Sequence, residues 1–173
     1  MSQFSPGVAR LTAITALIGV LIVILSQVVT AYSLENQLTE VVDTVNLLDK
    51  HGVVTAILAL VAAVAIVFAV ATGNRGAAIV VIGMGFAVVL IFLFVDLPDV
   101  GDTGMFNSSI AGNIDVTGKA AAGLWLELTG GVILILTGIA MALMTESQLR
   151  QIGPGGDRSR PSRPRRSRGA VNR

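Results

Sequence analysis

Residues 53–95 read VVTAILALVAAVAIVFAVATGNRGAAIVVIGMGFAVVLIFLFV, with Arg75 as the only charge. Two apolar runs, Val53–Thr72 and Ala77–Val95, flank a Gly73-Asn74-Arg75-Gly76 turn. At ~1.5 Å per residue, each run reaches across the ~30 Å of a hydrocarbon core. Lipid offers the backbone no hydrogen bonds, so each must close its own as a helix. A turn this short folds the two helices into an antiparallel hairpin.

Outward from this hairpin, two further runs match it. One spans about Val8 to Tyr32, with Ser5 and Pro6 as a helix-start signal. The other spans Ala121 to Met144. The first run is too long for the apolar region of a cleaved signal peptide and is expected to be an uncleaved anchor. Only 13% of the chain is charged, against about 25% in an ordinary soluble domain. The polar sequence is too scarce to cover four such helices in water.

Charge sets the expected orientation. Arg10, Arg75 and the arginines from Arg150 to Arg173 fall on one side of the four spans. Glu35, Glu40, Asp43, Asp49, Asp96, Asp99, Asp102 and Asp115 fall on the other, with Lys50 and Lys119. Loops rich in arginine stay in the cytoplasm. The expected architecture is an all-α, four-helix transmembrane bundle with both ends inside, multi-pass in a cell (cytoplasmic) membrane. Residues 1–7 form a short arm, 8–146 the membrane domain, and 147–173 a tail. Spans are placed at about 8–32, 53–72, 77–95 and 121–144.

Leu34, Leu38, Val41, Val45 and Leu48 recur at alternating spacings of four and three in the first outer connection. That spacing predicts an amphipathic helical segment whose apolar stripe is a partner face or rests on the bilayer surface. Whether the first helix runs on into it or breaks near Tyr32 stays open. The other outer connection, from Asp96 to about Ala120, carries many turn residues and reads as a loop. Its acids do not follow the spacing of a calcium loop, so no metal is expected.

Inside the spans, Glu127 is the one acid, and ionisable groups at membrane depth default to a functional hypothesis. With Asp96 and Gln27 it forms a candidate intramembrane polar site. The plainer alternative is interfacial: Trp125 in an aromatic belt, Glu127 reaching headgroups or pairing with Lys119. Small residues, among them Gly131 and Gly138 on one face of the last span, suit close helix packing and leave room for a homo-oligomer.

The tail is arginine, serine, proline and glycine, a composition that cannot bury a core, and is expected to be disordered. Arg158, Arg160, Arg163, Arg165, Arg166 and Arg168 are candidate ligands for anionic lipid headgroups. It lacks stacking aromatics, and nucleic acid is not an expected partner. With no cysteine and one histidine, thiolate and two-histidine sites are excluded. No paired acid and base or nucleophile constellation is visible, so neither an enzyme nor a cofactor is expected.

Asp96-Leu-Pro-Asp99-Val-Gly-Asp102-Thr-Gly104, followed by Gly123-Leu-Trp-Leu-Glu127 and a glycine-rich last span, resembles small four-span proteins of actinobacterial membranes, themselves uncharacterised. The resemblance covers the second half of the chain and implies a bacterial membrane without an activity. Small multidrug transporters rely on an acid in the first helix, and tetraspan junction proteins on a tryptophan-and-cysteine pattern; both are absent. The expected role is a scaffold or accessory interaction subunit with a membrane protein partner. The alternative is a small oligomeric transporter or channel with Glu127 on its pathway.

Overall fold

The computed structural model describes residues 6–38, 40–51, 53–108 and 112–152. In chain order the elements are α1 (Pro6–Ser26), β1 (Thr30–Asn36), β2 (Val41–Asn46), α2 (Leu47–His51) and α3 (Val54–Thr72). Then follow α4 (Arg75–Ile91), β3 (Thr103–Ser108), β4 (Gly112–Ala120), α5 (Ala122–Leu143) and α6 (Glu146–Ile152). Helix α4 continues through a π-turn, Phe92–Asp96, and a 3-10 turn, Leu97–Asp99.

Helices α1, α3, α5 and the extended α4 are long and apolar enough to cross a membrane. They form a ring in which α1 and α4 each touch both α3 and α5. Large side chains such as Leu11, Leu21, Leu60, Val64, Phe94 and Leu136 point outward, while Ala16, Ala59, Ala62, Ala69 and Ala78 fill the centre. Water would drive the large side chains inward; a lipid solvent leaves helices to associate by close backbone approach over small residues.

The approach is closest along α5. A Cβ on Gly130 would lie 2.5 Å from Val23 Cγ2 and 3.0 Å from the Gly19 carbonyl of α1. On the next face, a Cβ on Gly131 would lie 2.9 Å from Val89 Cγ2, and one on Gly138 2.7 Å from Ile82 Cγ1, both on the α4 side. At the turn between α3 and α4, Gly73 takes φ +71° and returns its N–H to Ala69. That is the left-handed helix ending open to glycine. Asn74 Oδ1 then accepts the Gly76 N–H at 2.8 Å to start α4. Thr145 and Gln148 exchange bonds in a capping box that opens α6. Arg150 of α6 donates to the Thr72 carbonyl at 3.0 Å, a cation on the negative end of α3.

The expectation of an all-α bundle with an amphipathic helix in the first outer connection is overturned. Both outer connections contribute two strands each, with the short α2 closing the first, and the four form one antiparallel sheet in the order β2-β1-β4-β3. Tyr32 pairs with Val45 and Leu34 with Asp43; Ser33 pairs with Lys119, and Phe106 with Ile114. Of the 34–48 stripe, Leu34 falls in β1, Val41 and Val45 in β2, Leu38 in the turn between them and Leu48 in α2; the strands are rich in Thr, Tyr and Val, which suit a pleated surface. Asn36 breaks any helix there: its Oδ1 accepts the Leu38 and Glu40 N–H groups at 2.9 and 3.0 Å and folds the chain into a hairpin. Strand β1 is completed by β4, eighty or more residues away, a pairing that no local pattern announces.

The sheet is seated on one end of the bundle. Ala31, Tyr32 and Leu47 pack with Phe92 of the π-turn and Leu124 of α5 in a second apolar cluster. The Ala121 N–H bonds the Ala31 carbonyl at 2.7 Å, and the Leu48 N–H bonds the Gln27 carbonyl at 3.1 Å. The basic tail, with its six candidate headgroup-binding arginines, lies outside the described residues.

Two outcomes follow from this packing. Gly131→Leu should destabilise the bundle by about 1–3 kcal/mol through overpacking, read as detergent unfolding. Gly83→Ala, with nothing within 4 Å of its Cβ, should be neutral. Cysteines at positions 33 and 119 should cross-link readily in the membrane, whereas a helical 34–48 segment would leave that pair unjoined.

Candidate functional site

Where the sheet meets the bundle, four chain segments converge on charged and polar groups. Lys50 sits in α2, Tyr32 in β1, Asp96 at the end of the π-turn and Asp99 in the 3-10 turn. The π-turn widens the helix by one residue per turn; Phe92 and Asp96 face inward while Leu93, Phe94 and Val95 remain exposed. Pro98, lacking an N–H, then ends the helix and leaves Asp99 half exposed.

The Lys50 ammonium lies 3.1 Å from Asp96 Oδ1 and 2.5 Å from Asp99 Oδ2. It also donates to the Val95 carbonyl at 3.0 Å and the Tyr32 hydroxyl at 3.1 Å, and sits 4.8 Å from the Tyr32 ring centre. Tyr32 in turn donates to the Asp96 carbonyl at 2.8 Å. A buried ion pair is stable only when hydrogen bonds complete it, and this one is well supplied. Burial pushes the Tyr32 phenol up to about 12, with Asp96 adding to the rise and Lys50 opposing it. For Lys50, burial acts to lower the value, but the bonds to Asp99, Tyr32 and Asp96 outweigh it and hold the group above its ordinary range.

Deeper in the bundle lies Glu127, fully buried. Its polar surroundings are Asp96, Thr55 of α3 and, beyond them, Lys50. Neither Glu127 oxygen, nor Thr55 Oγ1, nor Gln27 Oε1 has a hydrogen-bond partner among the described residues. The contact of α1 and the turn after it with α5 runs from Val29 opposite Gly123 to Val23 opposite Gly130, so Glu127 lies at the level of Ser26 and Gln27. Gln27 Nε2 donates to Ser26 Oγ and the Val23 carbonyl.

Of the residues singled out from sequence, Asp96 and Glu127 are thus brought together, with Gln27 at the same depth. Pairing of Glu127 with Lys119 does not occur: Lys119 lies in β4 and holds Glu35. The expected partner stripe is divided. Leu34 and Val45 line a cavity of about 350 Å³ with Tyr32, Lys50, Asp99 and Val116, while Leu38 and Val41 stand exposed and Leu48 is about one-third exposed. Lys50, Tyr32 and Thr55 join the site without belonging to any motif in the sequence. The available signal was the isolation of Lys50 among acids at the bilayer edge, where a cation must find a counter-charge.

The junction yields a direct titration. Tyr32 and Lys50 both release protons later in the folded protein than in the unfolded chain. Their contribution is complete below about pH 10 and is lost as pH rises towards 12. Because Tyr32 is the only tyrosine, phenolate absorbance should appear with a midpoint near 12 rather than 10.0. Lys50→Met should cost ~3–5 kcal/mol by stranding buried Asp96, seen as a lower thermal midpoint. No protein family, curated protein or solved structure matches this chain, so the chemistry of the site is defined by its own geometry.

Proposed function

We propose that this chain is a membrane-anchored interaction subunit. It holds a rigid four-stranded sheet outside the cytoplasmic membrane and offers it to a partner protein. The supporting observation is the junction itself: Lys50, Tyr32, Asp96 and Asp99 tie the sheet to the bundle at a buried point. The orientation rests on Arg10, Arg75 and Arg150 lying at the end opposite the sheet, which by the arginine rule faces the cytoplasm. Leu38, Val41 and Met105 are 76%, 57% and 77% exposed on the sheet, clear of the lipid-facing helix walls. We take these three, in the β1–β2 turn and on the two edge strands, as the places where a partner would touch the sheet.

A second reading, a small oligomeric transporter, is favoured by the burial of Glu127 and Asp96. Within one chain, however, the opposite half of the bundle is filled by Ala16, Ala69, Ala78, Leu134, Met141 and Leu149, which leaves a pathway only between copies.

Photo-cross-linking side chains placed at positions 38, 41 and 105 in cells should capture one recurring protein. Serine at all three sites should abolish its co-purification without lowering the thermal midpoint. Capture of lipid alone would contradict the interaction reading. In proteoliposomes, ion or proton flux that disappears in Glu127→Gln would favour the transporter instead.

A further inference from the structure

We propose that Glu127, Thr55 and Asp96 form a binding site for one small monovalent cation, a proton or a sodium ion, inside the sheet end of the bundle. The site does not require transport and stands whether or not the sheet engages a partner.

Asp96 is balanced by Lys50, and the half-exposed Asp99 shares the same ammonium and the solvent. Glu127 is the charge left over, fully buried among helices α1, α3, α4 and α5. A bare carboxylate in such a place is very costly. Among the described side chains, the titratable groups facing it are Asp96 and Lys50, with Tyr32 beyond. None of these is a cation free to neutralise it.

Thr55 supplies the second observation. In the spans, Thr12, Thr72, Thr129 and Thr137 each return their hydroxyl to the carbonyl four residues back, the usual way to satisfy a hydroxyl in lipid. Thr55 makes no such bond; its hydroxyl is fully buried beside Glu127, with that carboxylate as its polar neighbour. Gln27 Oε1, just past the end of α1 and at the same level, is also buried without a partner. Oxygens of carboxylate, hydroxyl and amide thus gather at a charge that no neighbouring cation neutralises, which is the chemistry of a hard-cation site. The available oxygens fall short of the six to eight that calcium takes. A single positive charge suffices for neutrality, which selects a monovalent ion.

The test is infrared difference spectroscopy on the reconstituted full chain, with glutamate isotope-labelled to separate Glu127 from Asp96. Glu127 is the one fully buried glutamate among the described residues. Spectra are taken in choline buffer from mildly acid to alkaline pH and again after sodium replaces choline. A glutamate carboxylic-acid band that persists at neutral pH and ignores sodium identifies a bound proton. A glutamate band that shifts saturably with sodium, and needs more sodium in Thr55→Val, identifies a sodium ion. Either band should be missing in Glu127→Gln; if that variant does not accumulate, the isotope label alone makes the assignment. Buried glutamate that stays ionised across the range and does not respond to sodium overturns the proposal.

Discussion

The Lys50 ammonium is the point at which the two halves of this molecule are joined. It lies on the segment that leaves β2, and it grips carboxylates from the end of α4 and the hydroxyl of β1. Each partner alone would be a liability at the edge of a bilayer: a buried Asp96, a buried phenol, a half-buried cation. Together they satisfy one another, and the apolar cluster of Ala31, Tyr32, Leu47, Phe92 and Leu124 seals them from one side. The sheet is therefore a fixed continuation of the bundle and not a loosely tethered appendage.

The bundle obeys a different rule from a soluble core. Its interior is rich in glycine and alanine, with a few larger side chains such as Ile66, Leu134 and Met141 and some polar groups, and most of its bulk faces outward. Helix α5 is the central strut because its two glycine faces let α1 and α4 approach the backbone itself. That close approach also determines where Glu127 lies. Placed between the contacts of Gly123 and Gly130 with α1 and the turn after it, its side chain is directed into the ring and cannot reach headgroups.

The four spans were plain in the sequence because length and apolarity are local quantities, summed along the chain. The sheet was hidden because its central pairing joins residues 32–36 to 116–120. The helical spacing of Leu34, Leu38, Val41, Val45 and Leu48 is genuine, yet β-branched neighbours and the Asn36 turn outweigh it. In the second connection, glycines and asparagines read as loop, while Ile114 and Val116 sit at strand spacing among them. Glu127 and Asp96 were visible as acids at membrane depth. Lys50, Tyr32 and Thr55 were not, since their importance depends on what the fold places beside them.

Hydrogen exchange on the protein in lipid nanodiscs, with and without Lys50→Met, is the most direct measure of whether one buried ion pair unites sheet and membrane domain. The wild type should protect 30–36 and 112–120 together, and the substitution should release both while the facing turns of α4 and α5 stay closed. Strands that exchange freely in the wild type, or stay equally protected after the substitution, would contradict the account.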